Sequence, residues 1–187
     1  MPALGGVSTG GGGGGGTNST WTEPRNDACA LVDTDFEFDT ILDTIGATKT
    51  IIVPGPWCPM AVLPASWGGN IRLTGTDRSG VEQIVTLTGT ASTTQKSASV
   101  FIGSVTFEVL TPGGGGAHTA SLRAAPRVCT ATAPVASIDQ ATEELNRTLY
   151  TLGTKDLTNG WADVSPTPDT ISKVRVHYTV SHTHTIT

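Results

Sequence analysis

Charge is scarce in this chain of 187 residues: Asp, Glu, Lys and Arg together make up 14% of it. With 11 Lys plus Arg against 16 Asp plus Glu and a net charge of -5, it has no basic field to hold a phosphate backbone, so nucleic acid is not expected as a partner. The good helix formers Lys and Glu number only 4 and 6, against 32 threonines. Threonine's β-branched side chain suits a pleated surface better than a helix, so a helical bundle is excluded. Aromatic residues are also few, at 5%.

Long apolar runs are missing too. The long uncharged stretch Thr50 to Ile71 carries Pro54, Pro56, Pro59 and Pro64. Proline lacks an amide hydrogen and clashes inside a helix, so this stretch is no membrane-spanning helix and no membrane partner is expected. Residues 1–16 have no basic start, apolar centre or cleavage-like site, which reads as a soluble protein made in a cytosol.

Cysteine is limited to Cys29, Cys58 and Cys129, which are far apart, odd in number and without C-x-x-C spacing. They support neither a metal knuckle nor an internal disulfide framework and read as small buried hydrophobes. No G-x-S-x-G elbow occurs, no Cys–His pairing is legible, and the glycine run is not followed by Lys-Ser/Thr. No enzyme and no cofactor are expected. Among the histidines the metal candidate is the pair His182 and His184, which share a side if they lie on a strand. Exposed polar residues near a terminus are the simpler reading of these two.

What the chain does contain is unevenly placed. Seven consecutive glycines, Gly10 to Gly16, bury no side chain and are costly to order, so residues 1–22 read as an extended arm held by a neighbour. Residues 23–187 read as one β-rich domain. Glu23 to Asp43 holds seven acids against Arg25 alone. Within it Asp33, Asp35, Glu37 and Asp39 alternate with Val32, Thr34, Phe36 and Phe38, the period of a half-buried strand with an acidic, solvated face. Carboxylates so spaced could bind calcium, but the glycine turn and downstream Glu of a calcium loop are missing.

Trp57 and Trp67 stand among the prolines of the uncharged stretch, which reads both as a segment crossing the core and as a subunit contact. Gly10, Gly16, Pro54, Trp57, Pro59 and Trp67 are therefore the candidate partner contacts. Ile71 and Leu73, the Thr76–Gly80 connection and Val81–Thr88 form a hairpin pattern. In Ala98 to Leu110, Phe101, Val105, Phe107 and Val109 alternate with Ser104, Thr106 and Glu108. From Ser137 the pattern changes. Ser137 and Gln140 resemble a capping box, and Ile138, Ala141, Leu145, Leu149 and Leu152 fall at helical spacing, so one short helix is expected over 138–152, with Gly153 as its stop. A terminal strand is expected over 173–187, with Val174, Val176, Tyr178 and Val180 on one face. The fold class is thus a mainly antiparallel β-sandwich or barrel with one short helix and a glycine-rich arm.

The segment Gly69 to Leu110 resembles bacteriophage virion proteins in which a strand ending T-G-T-D is followed by x-x-G, a second strand, a Thr/Ser-rich connection and a strand with an aromatic before a V-T pair. The matching residues are Thr74, Gly75, Thr76, Asp77, Gly80, Val105 and Thr106. The resemblance covers less than a quarter of the chain. It implies a β-sandwich component of a phage particle, made in the bacterial cytoplasm and located in the virion, with no catalytic residue. A capsid decoration or cement protein is the leading version, and a neck or tail component such as a head–tail connector the alternative. The major capsid protein or other virion proteins would be its partners, in a homo-oligomer. From another class, a carbohydrate-binding adhesin module would use Trp57, Trp67 or Trp161 as a stacking platform.

Overall fold

The computed structural model describes residues 18–31, 37–111, 118–145, 147–165 and 172–185, with the side chains of 20–28 in the first strand and 173–183 in the last. Gly10, Gly16, most of the acidic alternation from Val32, and the four consecutive glycines Gly113 to Gly116 lie outside these residues. The strands are β1 (Asn18–Leu31), β2 (Asp39–Leu42), β3 (Thr48–Trp57), β4 (Pro59–Val62), β5 (Ile71–Thr76), β6 (Glu82–Leu87) and β7 (Thr94–Lys96). They continue with β8 (Phe101–Val109), β9 (Thr119–Ala124), β10 (Arg127–Cys129), β11 (Ser137–Glu143), β12 (Leu149–Asp156), β13 (Trp161–Ser165) and β14 (Ser172–Thr185). All pairings are antiparallel, and no helix occurs among the described residues.

Two four-stranded sheets, β2-β9-β4-β7 and β3-β8-β5-β6, face each other across one core and form a sandwich. The alternation read in the sequence places Phe101, Val105, Phe107 and Val109 wholly inside this core, against Ile71 and Leu73 of β5. Trp57 and Trp67 also belong to it, at 2% and 1% exposure. Each buried indole finds an acceptor, Trp57 Nε1 at the Gly103 carbonyl (2.8 Å) and Trp67 Nε1 at that of Gly69 (2.6 Å). A buried N–H left without an acceptor would cost 1–3 kcal/mol by order of magnitude, roughly, so these bonds make the burial possible.

The remaining strands form a six-stranded sheet, β1-β14-β11-β12-β13-β10, that curls over a second core of Val128, Ile138, Ala141, Tyr150, Val164, Val174, Val176 and Tyr178. The terminal strand pairs within the chain, to β1 on one side and β11 on the other.

The expected helix over 138–152 is instead the β11–β12 hairpin. A β-bulge explains the helical spacing: Ile138 lies opposite Tyr178 while Gln140 lies opposite His177, so β11 has one extra residue there. That residue sets two inward side chains, Ile138 and Ala141, three apart instead of two. Leu145 and Leu149, which completed the apparent helical stripe, belong to the turn and its flank and are 85% and 61% exposed. Gly153, the expected stop, lies inside β12.

A small third cluster, Cys58, Met60, Val100, Ala125, Cys129 and Trp161, joins the sandwich to the curled sheet. The β5–β6 hairpin adds a polar clamp. Asp77 Oδ1 accepts the amides of Ser79 (2.7 Å) and Val81 (3.0 Å), and Gly80 takes a positive φ of 79°, which shapes the tip so that Arg78 points outward from it. The Arg78 guanidinium then donates to the carbonyls of Thr130 (2.7 Å), Asn159 (2.8 Å) and Gly160 (2.9 Å).

Candidate interaction site on the β1–β14 ribbon

β1 and β14 pair along their whole length, from Asn18 opposite Thr185 to Leu31 opposite Ser172. β11 covers β14 only from Val174 to Thr179. Beyond Val180 the two strands therefore continue as a ribbon with no third strand among the described residues, and β1 is an edge of the sheet. Residues 18–22, assigned to the arm from sequence, are part of this ribbon and arrive directly from the glycine-rich segment.

On the inward side of β1 lie Trp21, Glu23, Arg25 and Asp27, two apart as a strand requires. Trp21 stands opposite His182 and stacks on it, with ring centroids 5.1 Å apart and planes 16° from parallel. His182 Nε2 is 2.9 Å from Glu23 Oε2, and the same oxygen accepts Arg25 NH2 at 2.9 Å. The guanidinium of Arg25, then the His182 ring, hold the Glu23 carboxyl below its ordinary range. The Tyr178 hydroxyl donates to Asp27, and burial followed by that carboxylate pushes the phenol up. The result is a continuous polar row across the ribbon, ending at Trp21, which is 52% exposed.

No protein family, curated protein or solved structure matches the chain. What the ribbon does must therefore be read from its own chemistry. An edge strand offers unpaired backbone N–H and C=O groups, and a partly exposed indole offers a large apolar face with few rotamers to freeze. Together they suit attachment to another protein surface.

The other residues singled out from sequence are dispersed. Pro54 is exposed on β3, beside Gly55 at φ 81° and within the bulge that separates Val53 from Pro56. Pro59, Trp57 and Trp67 are buried, as is Trp161 at 6% exposure. His184 lies opposite Ser19 at the ribbon's far end, with its side chain outside the described set. No group of three or more metal-ligating side chains is found among the described residues. Sequence reading missed Trp21 and its stacking with His182. The signal available was a lone aromatic in a Thr/Ser-rich context beside a Glu-x-Arg pair, but the partner lies 161 positions away and no local pattern brings the two together.

Proposed function

We propose that this chain is a structural component of a bacteriophage particle, a capsid decoration or cement protein that joins neighbouring shell subunits. The observation that carries this reading is the end of the β1–β14 ribbon beyond Val180, which no third strand pairs with among the described residues, and which follows the glycine-rich segment in sequence and presents Trp21. A decoration protein needs an attachment element that reaches beyond its own core, and strand addition at an edge supplies it through backbone hydrogen bonds alone. The resemblance of Gly69 to Leu110 to virion proteins and the antiparallel β fold point the same way. A neck or tail role uses the same ribbon and differs in symmetry.

The test is mass spectrometry and electron microscopy of purified particles from cells that make this chain. Trimers or capsid-lattice copy numbers support decoration, and sixfold or twelvefold rings support the neck or tail. A chain that stays monomeric and is absent from particles overturns the proposal. Exposure of Trp21 also supports a second reading as a glycan-stacking module. Binding to a glycan panel that is lost in Trp21→Ala would favour that reading.

A further inference from the structure

Cys58 and Cys129 lie 71 positions apart in the chain, yet their sulfurs are 3.8 Å apart at the junction of the sandwich and the curled sheet. Cys58 is the single residue between β3 and β4, and Cys129 ends β10. Both are held by backbone bonds: the Cys58 carbonyl accepts the Ala125 amide at 2.8 Å, and Cys129 pairs with Trp161 in the β10–β13 ladder. Met60, Val100, Ala125 and Trp161 enclose the two sulfurs, and both side chains are buried. Arg127, bonded to Asp163 at 2.9 Å and lying 3.5 Å over the Trp161 ring, provides positive charge next to them.

We propose that Cys58 and Cys129 form an intramolecular disulfide that staples the sandwich to the curled sheet. An S–S bond measures about 2.05 Å, so closing it takes under ~2 Å of sulfur movement, within reach of small side-chain rotations. Burial pushes the Cys58 thiol up, but in the folded chain the adjacent Cys129 sulfur and the Arg127 guanidinium hold it below its ordinary value.

The oxidant is a low-molecular-weight disulfide of the glutathione type. One cysteine thiolate attacks it and releases one small thiol, leaving a mixed disulfide on the protein. The second cysteine thiolate displaces the other small thiol. The two cysteines lose two electrons and two protons, and both pass to the two small thiols released. Because both sulfurs are enclosed once the chain has folded, exchange takes place before the junction closes. The finished bond is then shielded from reductants. This inference does not depend on the particle role.

The full chain should be refolded from the reduced, denatured state in a mixed oxidised and reduced glutathione buffer, then denatured, alkylated with iodoacetamide and peptide-mapped. The expected result is one alkylated cysteine, Cys29, and a crosslinked peptide joining Cys58 to Cys129. The linked form should melt roughly 10 °C above the same protein reduced with a phosphine. A Cys29→Ala variant should keep the crosslink, and a Cys58→Ala/Cys129→Ala variant should lose the response to oxidant. Three alkylated cysteines, or a crosslink that involves Cys29, would overturn the proposal. A crosslinked form that melts no higher than the reduced one would overturn its role as a staple. The peptide map of the unmutated chain decides the matter even if the double variant fails to fold.

Discussion

Arg78 donates its Nε hydrogen to the Thr130 carbonyl at 2.7 Å, which fastens the tip of a sandwich hairpin to the curled sheet 52 positions downstream. Its other two bonds reach Asn159 and Gly160, so one planar guanidinium satisfies two carbonyls at the turn before β13 and the Thr130 carbonyl just after β10. Burial lowers the Arg78 pKa from its ordinary value, while the nearby Cys129 and Cys58 sulfurs favour its charged form. Arg78→Ala is expected to destabilise the chain by about 2–4 kcal/mol, because it strips charge-assisted bonds from acceptors on the buried Thr130 and Gly160 and the half-buried Asn159. Arg78→Lys should recover less than half of that, since an ammonium keeps the charge but lacks the fork. Urea unfolding of the two variants checks this, and equal midpoints for Arg78→Ala and the parent would refute the clamp.

The β11–β12 hairpin makes Ile138 and Leu145 opposites, although a helix would have put them on one face. Ile138 is fully buried and Leu145 almost fully exposed. Ile138→Ala should cost about 2–4 kcal/mol through lost burial and the cavity left behind. Leu145→Ser should stay within about 0.5 kcal/mol of the parent. Paired thermal melts distinguish the two cases, and similar large losses from both would return the segment to a helical reading.

Trp21→Ala separates attachment from stability. The ring is half exposed and packs on His182 alone among the described aromatics, so its removal should cost about 1 kcal/mol or less. Under the proposed function the same change should lower the number of copies retained on purified particles. Retention at the parental level, counted by quantitative mass spectrometry, would take the ribbon out of the attachment surface.

Acid should destabilise the fold. Arg25 holds the Glu23 carboxyl low, Lys49 and then the Thr40 amide do so for Asp39, and at Asp156 bonds from Asn159 outweigh the upward push of burial. Each carboxyl binds its proton less readily in the folded chain than in the unfolded one. Its contribution is therefore fully present above the ordinary carboxylate range and is lost as pH falls through the folded values. The urea midpoint should hold steady between about pH 7 and 5 and decline below about pH 4.5. Asp156→Asn should make that decline shallower, and a midpoint that rises in acid would contradict the assignment.

Much of the fold was legible because strand periodicity is local. Val105, Phe107 and Val109 in β8, and Val174, Val176 and Tyr178 in β14, alternate over consecutive residues, so their buried faces appear without any knowledge of their partners. The β5–β6 hairpin is equally local, as Asp77 and Gly80 carry the chemistry of the turn. The β11–β12 hairpin was misread for a physical reason: the bulge at Ile138/Gln140 gives a strand the three-residue step of a helix, and no residue in the segment marks the extra insertion. Trp57 and Trp67 read both as core and as contact residues because a tryptophan among prolines suits either a surface or a core. The carbonyls of Gly103 and Gly69 that allow them to be buried become visible only once the chain has folded.

The scarcity of charge and the abundance of threonine, read from the sequence alone, were enough to determine a β-rich chain, since backbone preference and a period of two need only neighbouring residues. Tertiary structure alone decided that Cys58 meets Cys129, that Arg78 caps the turn before β13, and that Trp21 rests on His182 across the β1–β14 ribbon. Each of these contacts joins residues more than 50 positions apart, and only packing of the two cores brings them within bonding distance.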